Sequence, residues 1–133
     1  MKRFSIALLW ITAAGIEVYW GALAFRLVEV RELVPGFLPW FYSFPAADFW
    51  IAASAGAAAV SLRKGKKTAP VWLAAAGSGL LFLALNAFLF GHNTGLLYQR
   101  TPEEFVEILI KIYALSAGTF LVWRGLVEIR VQA

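Results

Sequence analysis

The sequence predicts an all-α integral membrane protein: a single-domain four-helix bundle in up-down-up-down order, with both termini cytoplasmic. Composition is the first reason. Of 133 residues, 61% are hydrophobic and only 15% charged, with a mean hydropathy of +0.71. A soluble domain of this size carries roughly a quarter charged residues to cover its water-facing surface. The second reason is arrangement, because the apolar residues come in long blocks where an amphipathic soluble helix would show stripes. The third is that lysine and arginine gather in alternate connections.

A helix crossing the hydrocarbon core needs about 20 mostly apolar residues. Four blocks qualify: 4–25, 44–62, 71–90 and 105–127. The first is expected to extend as helix through Val34, ahead of an outer interfacial loop within 26–43. Pro35, Gly36, Pro39 and Pro45 break the chain before the second span. Gly65 and Pro70 separate the second from the third, and Gly91 and Gly95 follow the third. Thr101-Pro102-Glu103-Glu104 opens the fourth as an N-cap, a proline at N1 and a glutamate at N3, the pattern of a capping box. Alternating ten-residue segments, the signature of a membrane β-barrel, are missing.

Orientation follows from the charges. Lys2, Arg3, Arg63, Lys64, Lys66, Lys67, Arg124 and Arg130, set against Glu128, give one side +7. The other side carries Arg26, Arg31, Arg100 and Lys111 against seven carboxylates, a balance of −3. Basic residues stay in the cytoplasm, which puts both ends of the chain inside. The basic balance therefore reports topology and calls for no nucleic-acid partner; contact of Lys64, Lys66 and Lys67 with anionic headgroups adds nothing to it. Residues 1–15 look like a signal peptide, with a basic start, an apolar run and Ala13-Ala14. The run continues well past any cleavage point, so it reads as an uncleaved first span.

Cysteine is absent, which removes disulfides, thiolate metal sites and CxxC redox chemistry. No cofactor motif appears. Gly77-Ser78-Gly79 sits inside a helical span with no preceding strand, so it is not a phosphate loop. Ser54, Ser78 and Ser116 have no histidine at a recognisable spacing. His92, the only histidine, lies in Gly91-His92-Asn93-Thr94-Gly95 at an outer helix end. One imidazole with carboxylates can bind a metal or move a proton, but a lone interfacial histidine is more often a solvated loop residue.

Ionisable groups inside a span cost about 2.5–3.5 kcal/mol at the bilayer centre, so each is a functional candidate. Glu17, Asp48 and Lys111 fall within the spans, with Asn86 as their uncharged companion; His92 and Asn93 close the third span. At about 1.5 Å per residue, Glu17, Asn86 and Lys111 all lie about 20–22 Å above the cytoplasmic edge, and Asp48 about one turn below the outer edge. One polar group from each helix thus reaches a similar level. Glu17 is spaced to share a face with Ala13 and Gly21, Asp48 with Ala52 and Gly56, Asn86 with Gly79 and Lys111 with Gly118. Small residues line close helix contacts in membranes, so these groups are expected to face inward. Ala52 to Ala59, nearly all alanine, serine and glycine, suits a central, tightly packed helix.

Two acids and one base in a shared cavity leave one negative charge, to be met by a proton or a cationic ligand. The aromatic segment from Phe37 to Phe44, with Trp40 and Tyr42, would either anchor at the interface or act as a lid for an amphipathic ligand. The bland alternative has Lys111 pairing with Glu107 and snorkelling outward, Asp48 capping the second span, and Glu17 only fixing helix register. A third reading is an intramembrane isomerase or lipid-modifying enzyme using Glu17, Asp48 and His92.

Leu9-Trp10-Ile11-Thr12, Gly15, Tyr19-Trp20 and Ser43-Phe44-Pro45-Ala46-Ala47-Asp48 resemble small uncharacterised four-span proteins of bacterial inner membranes, over the first sixty residues. The resemblance implies a plasma-membrane location and draws attention to Asp48; it supplies no activity. The leading expectation is a non-enzymatic protein with an outward-facing pocket that binds, senses or passes a small cationic or amphipathic solute. Its partners would be membrane lipids, that solute and, for transport, further copies of the chain, since four helices are few for a path through one copy. The runner-up is an accessory protein whose polar groups serve only packing.

Overall fold

The computed structural model describes residues 1–133 and is all-helical. Helix α1 spans Lys2–Ala24, the short α2 spans Phe37–Phe41, α3 Pro45–Arg63, α4 Ala69–Thr94 and α5 Pro102–Gln132, with a 3-10 turn at Leu96–Tyr98 between the last two. Four segments are long and apolar enough to cross a membrane: α1, α2 continuing into α3, α4 and α5. These are the attributes of a multi-pass membrane protein.

Helix ends follow backbone chemistry. The turn after α3 closes with Lys66 N–H on the Ser61 carbonyl and Gly65 N–H on that of Leu62, with Gly65 left-handed at φ 63°. That is a Schellman cap, built on the residue best suited to positive φ. The same pair of bonds ends α1: Leu27 N–H reaches Ala22 and Arg26 N–H reaches Leu23. Here Arg26 takes the left-handed position, at φ 55°. The expected continuation of the first helix to Val34 is therefore corrected. At the start of α5, Thr101 accepts a hydrogen bond from Glu104 N–H at 3.2 Å, as the capping pattern predicts.

Packing runs α1 on α3, α3 on α4 and α4 on α5, with α1 and α5 touching lightly. Each neighbouring pair is antiparallel. Trp10 meets Gly56 while Trp20 meets Asp48, and Phe4 packs on Phe120 while Thr12 meets Tyr113. Half of the spanning window containing α3 is buried, against 17% of α1. Ala55 and Ala58 are wholly enclosed, so α3 is the central helix its small residues predict. Apolar side chains cover the outer surface, Phe82, Leu85 and Leu89 among them, as lipid contact requires.

A second apolar cluster joins Trp20, Phe37, Phe41 and Leu96 at the end of the bundle where the 25–44 segment crosses. Glu32 holds this segment in shape: its carboxylate accepts the N–H groups of Gly36 at 2.7 Å and Leu38 at 2.9 Å. Those are free donors at the start of α2, which a carboxylate satisfies.

Candidate functional site

Beneath α2 lies a cavity of about 310 Å³, bounded by α1, α2, α3, α4 and α5. Its walls are mostly apolar, and its charged residues are Asp48, Glu107 and Lys111. Asp48 comes from the first turn of α3 and is 8% exposed. Its Oδ2 accepts the indole N–H of Trp20 at 2.7 Å. Its Oδ1 is buried and has no partner. One lone-pair face of a buried carboxylate is thus unsatisfied, which is costly for such a group. Glu107, on α5, also lines the cavity, and no protein donor bonds its carboxylate.

Lys111, which lines the same cavity, forms no ion pair with either of them. Its ammonium donates to Glu104 at 3.1 Å, with both side chains buried. It lies 6.0 Å from the centre of the Phe88 ring and against the gap left by Gly91, 3.5 Å from where a β-carbon would sit. The alternative reading, in which Lys111 pairs with Glu107 one turn away and snorkels outward, is corrected: the partner is Glu104 two turns away and both side chains are buried. Glu104 consequently completes only half of the capping box: its N–H is capped by Thr101, while its carboxylate turns inward to the lysine. With that pair closed on itself, Asp48 and Glu107 face the cavity without a paired cation.

Aromatic groups complete the walls. Tyr19, Trp20, Trp40, Phe41, Phe44 and Tyr113 line the cavity. Trp40 stacks on Phe90 with ring centres 4.0 Å apart and planes 6° from parallel, and its N–H donates to Asn86 at 3.1 Å. Asn86 therefore steadies the roof from behind and does not line the cavity. At the opposite end the hydroxyls of Thr12 and Tyr113 meet at 2.6 Å.

Several expected site residues fall elsewhere. Glu17 is exposed, and its inward placement is corrected. The packed face of α1 runs through Ser5, Leu9, Thr12, Ala13 and Trp20, and at 3.6 residues per turn Glu17 lies about a quarter turn away from its centre. His92 and Asn93 are exposed too; His92 Nδ1 meets the Tyr98 hydroxyl at 2.6 Å, outside the cavity. Tyr42 is 55% exposed and does not line the cavity; its ring packs edge-on against the outside of Phe41. No group of three or more histidines and acids is placed to hold a metal ion.

Glu107, Trp20 and Tyr19 were not anticipated as site residues. Glu107 had a signal, since it precedes Lys111 by four residues and shares its helix face. Trp20 also had one, since it continues the i, i+4, i+7 series of Leu9, Ala13 and Ile16 that faces the bundle. No protein-family model, curated protein or solved structure matches the chain.

Proposed function

We propose that the chain is a non-enzymatic bacterial inner-membrane protein whose intramembrane cavity binds a small organic cation. The observation that carries this is Asp48, a buried carboxylate on the wall of an aromatic-lined cavity whose Oδ1 has no partner. A cation in the cavity would lie beside both carboxylates, that of Asp48 and that of Glu107. Indole and phenol faces attract cations by about 0.5–2 kcal/mol, more when water is excluded. The charge asymmetry supports a cytoplasmic location for the end carrying Lys64, Lys66 and Lys67. The cavity, at the opposite end, would then face the external side. Sensing or binding needs one copy; passage across the membrane would need an assembly of several.

A packing role is favoured for some groups by their contacts. Asn86 bonds Trp40, and Lys111 bonds Glu104, so these serve to join or position segments. That role leaves Asp48 Oδ1 and Glu107 unexplained. An enzyme using Glu17, Asp48 and His92 lacks support, since Glu17 and His92 are exposed and neither lines the cavity.

The test is the unfolding midpoint of the purified protein in maltoside detergent, titrated with tetramethylammonium and benzyltrimethylammonium. The expected result is a saturable rise that Asp48→Asn or Glu107→Gln weakens at least tenfold and Glu17→Gln leaves unchanged. A wild-type protein without any saturable rise, or a rise indifferent to Asp48 and Glu107, overturns the reading.

A further inference from the structure

We infer that the ligand is a single-chain amphiphile with an alkylammonium head, and that it reaches the cavity sideways from the bilayer through the seam between α1 and α5. This rests on the cation reading above and adds a tail and a route.

The seam is the weakest joint in the bundle. Side chains of α1 and α5 meet where Phe4 packs edge-on against Phe120, ring centres 5.4 Å apart, and where Thr12 bonds Tyr113. Past Thr12, toward the roof, the two helices line the cavity with Gly15 and Tyr19 on one side and Glu107 and Ile110 on the other. A β-carbon added to Gly15 would touch nothing within 4 Å. Gly15 is exposed and Tyr19 and Ile110 are each more than a third exposed, which leaves the cavity wall thin on this flank.

The end of the bundle is closed by contrast. Phe37 and Phe41 are buried beside Trp20, and Trp40 is held by both its stack on Phe90 and its bond to Asn86. A solute arriving from water meets this roof. A molecule already in the leaflet meets the thin flank.

The two carboxylates are confined to one end of the same axis, while the joined hydroxyls of Thr12 and Tyr113 close the other. Asp48 and Glu107 sit at the roofed end, whereas Ile16, Leu80, Ala84 and Ala114 line the deeper part. From Glu107 to Ala114 is seven residues, about 10 Å of helix. A charged head near the interface with an alkyl chain toward the membrane centre is how an amphiphile already lies in a leaflet. The cavity matches that order, so the ligand need not turn over to enter.

The experiment compares tetramethylammonium, which is the head alone, with decyltrimethylammonium, using the full chain in maltoside micelles and the variants Asp48→Asn and Gly15→Leu. The β-carbon of the leucine meets nothing within 4 Å. Both probes should raise the wild-type unfolding midpoint, the decyl compound at an aqueous concentration at least tenfold lower. Asp48→Asn should weaken both effects at least tenfold, and Gly15→Leu should slow the onset of decyl binding, followed by tryptophan fluorescence, at least tenfold more than that of tetramethylammonium. A decyl compound carrying a nitroxide at its chain end should broaden the NMR methyl signals of Ile16 and Ile110 and leave those of Ile129 sharp. A decyl compound no better than the bare head, insensitivity to Gly15→Leu, or uniform broadening overturns the amphiphile inference while the cation site stands. Failure of both probes on the wild type overturns the cation site itself.

Discussion

A β-carbon on Gly77 would lie 2.8 Å from the carbonyl oxygen of Gly118, and one on Gly118 would lie 2.8 Å from the carbonyl oxygen of Gly77. Helices α4 and α5 therefore meet backbone to backbone, with no side chain between them. In a membrane, where lipid tails are as apolar as leucine, close approach of this kind supplies much of the packing energy.

Gly77→Ala and Gly118→Ala should each force the two helices apart, because the obstruction is backbone and cannot rotate away. Overpacking of this sort costs typically about 1–3 kcal/mol. Gly21→Ala is the control: its β-carbon meets nothing within 4 Å, and removing a helical glycine contributes about 0.5–1 kcal/mol of stability. Thermal unfolding in detergent should place the three variants on opposite sides of wild type.

The bond between Trp20 and Asp48 ties α1 to α3. Asp48→Asn keeps an acceptor oxygen for the indole N–H and should change stability little. Asp48→Ala leaves that buried donor unpaired, at a cost of about 1–3 kcal/mol. Guanidinium or thermal unfolding would show the ranking, and an alanine variant as stable as the asparagine variant would contradict the geometry.

Lys111 and Glu104 form a buried pair. Lys111→Met strands the Glu104 carboxylate and should destabilise by about 3–5 kcal/mol. The double variant Lys111→Met with Glu104→Gln should recover most of that loss, because no uncompensated charge remains. A double-mutant cycle measures the coupling, and additive losses would count against a mutual pair.

Membrane sidedness is open to labelling. Lys66 and Gln99 are exposed at opposite ends of the bundle, and single cysteines there avoid the strained positions at Gly65 and Gly95. The charge distribution predicts that Gln99→Cys reacts with an impermeant maleimide on intact cells and that Lys66→Cys reacts only after lysis. Labelling of both from the same side would refute alternate crossings.

The spans were legible because twenty-residue apolar blocks and prolines are local signals, and the structure places its helices within a few residues of them. The end of α1 was not legible. Its left-handed position is filled by Arg26 in place of the expected glycine, so nothing local marks the stop. In the cavity, Asp48 and Lys111 were reached by depth, which needs only the rise per residue. Glu17 was misplaced because depth says nothing about azimuth, and a face shared with Ala13 and Gly21 is weak evidence in a chain this rich in small residues. The Lys111 partner depended on a choice between carboxylates four and seven residues away, which packing against Gly91 and Phe88 decides.

The run from Ala52 to Ala59 has a mechanical corollary. A helix whose side chains barely project offers no ridges for a neighbour to lock between. Trp10 rests on Gly56 at ordinary contact distance, whereas α4 is keyed to α3 by Ile51 filling the space at Gly79 and to α5 through Gly77. Helices α3, α4 and α5 are thus keyed to one another through backbone and glycine gaps, whereas α1 is held to α3 by discrete side chains, Leu9 in the core and Trp20 on Asp48.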